Sequence, residues 1–252
     1  MNDRQTIEVF HLLFLDWLGR KLDKASYALK GGCNLRFFFR SIRYSEDMDL
    51  DAGADAPVHL LRDRVNGILR GQPFRQTLLA RGIEIEHITE SKQPDTVQRW
   101  KLGLLTGTAE RPLPTKIEFS RRGLGAGVRF EHVDPSVTGP YRLAPVLTNH
   151  YDAVAATRQK IEALRSRKAP QARDVFDLHL LRSAGVDLGR VAREAGLSPA
   201  DLQSRVMDFT PAMFVGQVLA YLPAEEQERY AAPRLWDAMV LNVASALQEA
   251  PP

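Results

Sequence analysis

From Ser45 onward acids alternate with apolar residues, so that Asp47, Asp49 and Asp51 interleave with Met48 and Leu50. A period of two belongs to a β-strand, whose successive side chains point to opposite faces. Such a strand buries Met48 and Leu50 and presents carboxylates on its other face, about 6–7 Å apart along the chain. Ionised carboxylates at that spacing repel one another unless a cation stands between them. Mg²⁺ suits the position, because it takes carboxylate oxygens and keeps sites for phosphate oxygens. A strand with one face in solvent carries the same pattern without any ion.

Fourteen residues separate Asp47 from a glycine pair, Gly31-Gly32, which follows the short apolar run Tyr27–Leu29 and precedes a helical stretch around Leu35–Phe39. Glycines at such a junction let the backbone approach a phosphate, and the N–H groups that open the helix can bind its oxygens. A plain turn has the same local signature.

Elsewhere the pattern is that of an α/β (α+β) front half followed by a helical back half. Val9, Leu13 and Trp17, four apart, predict an amphipathic helix over residues 6–24. Residues 58–70 predict a second helix, while Ile83 and Ile85, Trp100–Leu105 and Thr115–Phe119 predict strands. Gly123, Gly125 and Gly127 mark a turn-rich loop. A long helical pattern runs from Asn149 to Arg167, and Pro170 precedes another helix, closed by Gly185. Prolines then punctuate several more helices up to Gln248. The division expected is a domain over residues 1–145 and a helical domain over 146–252.

With 44% hydrophobic and 26% charged residues the composition is that of an ordinary soluble domain. No apolar run approaches the roughly 18–20 residues that span a bilayer. Asp3, Glu8 and Asp16 interrupt the apolar N-terminal stretch, which therefore does not read as a signal peptide. The single cysteine, Cys33, suits a reducing compartment, and a cytoplasmic location is expected. The six histidines show no metal-ligand spacing, so a zinc site is not expected. Charge is uneven: the formal net of +3 combines nine acids against five arginines after Val186 with a basic front part. Six cations between Thr157 and Arg173 face a single acid, Glu162. That balance fits phosphate-rich partners, and equally a solvated helix face.

Taken together, the glycine pair and the Asp-x-Asp strand resemble the core signature of the DNA polymerase β-like nucleotidyltransferase superfamily. The wider segment, with Lys30-Gly31-Gly32 and Arg43-x-Ser45-x-Asp47-x-Asp49, closely resembles the opening motif of the AbiEii/AbiGii-type nucleotidyltransferase toxins. TKIEFS, residues 115–120, is similar to that family's third-acid strand, with Glu118 as the carboxylate. RQKIEALRSRKAPQARDVFDLHLL, residues 158–181, is similar to its later signature of a functional lysine and an Arg-Asp-x-x-Asp-Leu helix.

The resemblance implies a nucleotidyltransferase-like mixed sheet flanked by helices, with the helical half completing the active-site cleft. It implies two Mg²⁺ ions on Asp47, Asp49 and Glu118, and an NTP cradled by Gly31, Gly32 and Cys33. It gives Lys160 a phosphate contact, makes Asp174 part of the active site, and adds Arg43, Ser45 and Asp177 to the nucleotide-binding set. The acceptor it implies is RNA, a tRNA 3′ end, and the setting a toxin–antitoxin or phage-defence system with a cognate antitoxin. A small-molecule nucleotidyltransferase and an inactive RNA- or protein-binding relative are the rival readings.

Cys33 departs from the family's Ser or Thr, and a thiol donates weakly, so weaker nucleotide binding is expected. No histidine lies near Cys33 in the sequence to activate it. Arg43 either pairs with Asp47 or Asp49 or binds phosphate. Ser45 either caps a turn or orients an acid, and Arg36 and Arg40 either reach the nucleotide or stay solvated. Asp51 reads as a strand-end acid beyond the metal pair. For Asp174 and Asp177 the alternative role is a salt bridge with Arg173 or Arg182.

Overall fold

The structure, a computed structural model, describes residues 1–54, 57–107, 110–169 and 171–249; Pro170, expected ahead of a helix, lies outside these. The chain divides into two compact units. One comprises Met1–Arg40 with Ser45–Tyr151, and the other Ser41–Tyr44 with Asp152–Pro252.

The first unit is built on a mixed sheet. Helix α1 (Asp3–Gly19) opens it, held by a reciprocal cap between Asn2 and Gln5. Strand β1 (Tyr27–Lys30) runs directly into helix α2 (Gly31–Phe38), and β2 (Asp47–Ala52) follows. Helices α3 (Val58–Leu69) and α4 (Gln72–Leu79) lead to β3 (Ile83–Lys92), β4 (Val97–Thr106) and β5 (Leu113–Ser120). The unit ends with β6 (Val128–His132), the short α5 (Pro135–Thr138) and β7 (Leu147–Tyr151). Spatial order in the seven-stranded sheet is β3-β4-β5-β2-β1-β7-β6, so β2 is the central strand. It pairs parallel with β5 and antiparallel with β1.

Burial follows the alternation in the sequence. Met48, Leu50 and Ala52 are buried while Asp47, Asp49 and Asp51 are only partly covered. The buried side of β2 joins Phe10, Phe14, Phe37, Phe74, Trp100 and Phe119 in one hydrophobic core. Burying a side chain of this kind stabilises by about 1.5–3 kcal/mol, which fixes the register of β2 and with it the facing of the acids.

The second unit is helical, with α6 (Ala153–Ser166), α7 (Ala172–Ser183), α8 (Leu188–Glu194), α9 (Pro199–Met207), α10 (Pro211–Gln217), α11 (Ala224–Tyr230) and α12 (Pro233–Gln248). Its separate core centres on Trp236, Phe214, Val243 and Leu178, and Ile42 of the Ser41–Tyr44 segment packs against it. The Tyr44 amide donates to the Tyr221 carbonyl and ties that segment to this unit. No helix among the described residues is long and apolar enough to cross a membrane.

One local expectation is corrected. The helix expected from Asn149 starts at Ala153, because residues up to Tyr151 form β7 between β1 and β6. Asp152 is the true N-cap, its carboxylate accepting from the Ala155 amide. The turn-rich stretch is followed at once by β6, a mostly exposed strand.

Candidate active site

Sheet register arranges the charged side chains in rows. Across β1, β2, β5 and β4 one row reads Lys30, Asp49, Glu118, Arg99, and the next carries Asp47 beside Lys116. Residues paired across neighbouring strands share a face, so the face that carries the acids is also seeded with cations.

Lys116 is central to the arrangement. Its ammonium lies 3.2 Å from Asp47, 3.8 Å from Asp49 and 3.9 Å from Glu118. Arg99 binds Glu118 from the other side. Asp49 keeps 36% of its side chain exposed, yet protein crowds the rest of it. Burial first, then the neighbouring Asp47 and Glu118 carboxylates, holds its pKa above the usual value against the opposing pull of Lys116. The third acid of the alternation has another task. Asp51 pairs with Lys30 and accepts from the Tyr151 hydroxyl, which in turn accepts from the Gly125 amide. It therefore secures the end of β2, as a strand-end acid should.

Gly31 lies against the acids. Its φ of +69° is left-handed, and a Cβ there would come within 3.2 Å of the Asp49 carboxylate. Only glycine satisfies both constraints without strain. Lys30, which precedes α2, provides no side-chain cap, so no side chain of that residue competes for the opening N–H groups.

Cys33 is placed differently from the expectation. One turn into α2 its side chain points into the core, where the thiol donates to the Asp47 carbonyl and lies 3.6 Å from His11 Nδ1. A side chain facing that way does not line a phosphate cradle; only the backbone N–H of Cys33 belongs to the helix start. The pair with His11 is not an activated nucleophile either. Burial pushes the thiol pKa up and holds that of His11 down at about 3, so both groups are neutral. Ser45 orients the strand: its hydroxyl donates to the same Asp47 carbonyl. His11 Nε2 is hydrogen-bonded to the Thr115 hydroxyl, which donates to the Glu46 carbonyl. These contacts fix the start of β2 from beneath the acids.

The remaining site candidates form a cluster of their own in the helical unit. Lys160 of α6 sits 2.6 Å from Asp177 and 3.4 Å from Asp174, both on α7. Arg43 donates two hydrogen bonds to Asp177, at 3.1 and 3.2 Å, and a third to the Tyr44 carbonyl. Arg167 approaches Asp174 at 3.2 Å. Both acids are fully buried. Burial alone would raise the pKa of Asp177, but Arg43 and Lys160 outweigh it and hold the carboxyl below the usual range.

Arg43 thus has Asp177 as its carboxylate partner, not Asp47 or Asp49. The partners of Asp174 and Asp177 are Lys160, Arg167 and Arg43 in place of the expected Arg173 or Arg182. Arg36 and Arg40 are occupied by Glu8 and Asp134 respectively.

Among the described residues, no three acid, histidine or cysteine side chains are already spaced to ligate one ion. The donor chemistry is nonetheless of the kind a hard divalent cation takes: three carboxylates lie within 4 Å of a single positive centre, the Lys116 ammonium.

The sequence of residues 13–245 matches the family described as "Nucleotidyl transferase AbiEii toxin, Type IV TA system". The chain belongs to this family. Its fold is similar to that of a protein from H. pylori described provisionally as a nucleotidyltransferase, at a TM-score of 0.58 and 21% identity over 100% of both chains. JHP933 from Helicobacter pylori is similar at a TM-score of 0.57 and 20% identity, over 98% of this chain and 94% of that one. Comparison with curated proteins found no match.

Within this AbiEii-family chain, two site residues escaped the sequence reading. Lys116 was within its reach, because it lies two residues before Glu118 on a strand and so shares its face. Arg99 was not, since only the pairing of β4 with β5 brings it to Glu118.

Proposed function

We propose that this nucleotidyltransferase toxin transfers a nucleoside monophosphate from an NTP to RNA, at a tRNA 3′ end, in the cytoplasm, with Mg²⁺ on Asp47, Asp49 and Glu118. The observation that supports this reading best is the packing of Gly31, at the uncapped start of α2, against the Asp49 carboxylate. A phosphate-binding backbone and an acid cluster on adjacent elements are what nucleotidyl transfer requires.

The helix start, with the N–H groups of Gly31, Gly32 and Cys33, binds the triphosphate. When bound, the divalent ions supply positive charge to the phosphoryl group and the departing pyrophosphate. One carboxylate of the cluster takes the proton of the acceptor hydroxyl. The freed oxygen bonds to the α-phosphorus as the bond to pyrophosphate breaks. Ser45 holds β2, and so its acids, in place through the Asp47 carbonyl.

In the helical unit, Lys160 contacts phosphate. Its ammonium has three donors and two carboxylate partners, Asp174 and Asp177, which aim it. Arg43 acts through Asp177 by neutralising it. Arg165, Lys168 and Arg173 are exposed and give the RNA backbone a basic surface. A cognate antitoxin is the remaining partner, and phage defence the setting.

The test is to incubate the protein with total tRNA, Mg²⁺ and each α-phosphate-labelled NTP in turn. Label in RNA with one of the four supports the reading and names the donor. Label in none of the RNAs, with NTP still bound, points instead to a small-molecule acceptor.

A further inference from the structure

Lys116 goes beyond any role assigned so far. It is a cation placed among the very carboxylates that the functional reading gives to a metal, and the inference rests on that reading. We infer that Lys116 is a built-in competitor of the divalent ion: in the free protein its ammonium satisfies Asp47, Asp49 and Glu118, so a metal must displace it.

Two observations carry this. The ammonium stands within 4 Å of all three carboxylates, nearer to each than a spectator would. Parallel pairing of Asp47 with Lys116, and of Asp49 with Glu118, leaves the lysine no other face to occupy.

Arg99 already neutralises part of Glu118, so the free cluster carries three acids against two cations. That weakens the pull on a free divalent ion. A triphosphate offers Lys116 an alternative anion and brings its own charge to the metal. The device therefore favours uptake of metal together with nucleotide over uptake of metal alone.

The experiment is Mn²⁺ titration of the full chain without nucleotide, with free Mn²⁺ counted by electron paramagnetic resonance. Wild type, Lys116→Met, Lys116→Gln and Asp49→Asn are compared at one pH and ionic strength, after circular dichroism has shown each to be folded. Removing the ammonium is expected to tighten Mn²⁺ binding by about tenfold or more, given the strength of charge pairs at this distance. The two neutral variants should agree, so that failure of one to fold leaves the other. Equal affinity in wild type and the Lys116 variants, with binding lost in Asp49→Asn, would overturn the competitor role and leave the carboxylate site standing. No Mn²⁺ uptake by any variant would overturn both.

Discussion

Two clusters hold the same kinds of side chain in opposite states. In the sheet unit Asp47 and Asp49 keep 45% and 36% of their side chains exposed, while in the helical unit Asp174 and Asp177 keep 1% and 0%. The exposed acids crowd one another around Lys116, and Asp49 ionises with more difficulty than usual. The buried acids are outnumbered by Arg43, Lys160 and Arg167, and Asp177 ionises more easily than usual. A buried carboxylate persists only when its charge is fully answered. A half-exposed one can remain under-compensated, because water bears part of the cost, and it is then free to take up a further cation. The contrast sets a half-exposed, under-compensated cluster in the sheet unit against a closed, compensated one in the helical unit.

The largest effect is expected from breaking the compensated cluster. Asp177→Ala leaves the buried Arg43 without its carboxylate and Lys160 with Asp174 alone, and should cost about 3–5 kcal/mol, read from denaturant unfolding. The same pair predicts an acid limb. The folded pKa of Asp177 is depressed below 3.8, so its stabilisation is present above about pH 4 and lost as pH falls through the folded value.

Gly31→Ala attacks the sheet unit at the contact between helix start and acid. A left-handed alanine costs about 1–2 kcal/mol, and its Cβ forces the Asp49 carboxylate to move. Nucleotide affinity should fall together with the thermal midpoint. A separate effect, spread over pH, comes from beneath the acids. His11 is held neutral with a pKa of about 3 against 6.5 when unfolded. The unfolded chain therefore binds the extra proton between those values, and stability should fall by about 1.4 kcal/mol per pH unit as pH drops through that window. Substituting His11→Gln, which can still bond to Thr115, should flatten the limb between pH 6.5 and 4 and leave the Asp177 limb in place.

How much of this was legible follows from where the information lies. The facing of Asp47, Asp49 and Asp51 was legible because period two and a buried partner face determine it locally. The glycine pair was legible for the same reason, since a left-handed residue at a strand-to-helix junction calls for glycine. Strand β7 was not: LTNHY has little strand character of its own and depends on β1 and β6, which are remote in sequence. Nor was the partner of Arg43, because 134 residues separate it from Asp177 and no local pattern selects between acids. The inward turn of Cys33 also escaped, since the face it takes depends on how α2 packs. The family resemblance supplied the candidate residues, and the structure sorted them into an open set and a closed one.

The most direct measurement compares Asp49→Asn with wild type in two assays, label transfer from NTP to RNA and denaturant unfolding. The account predicts transfer reduced by about a thousandfold or more, as befits loss of a group acting in the transition state. Stability should be unchanged or slightly raised, because a crowded carboxylate has been removed. Transfer at the wild-type level in a folded Asp49→Asn protein would contradict the assignment of the sheet cluster as the catalytic site.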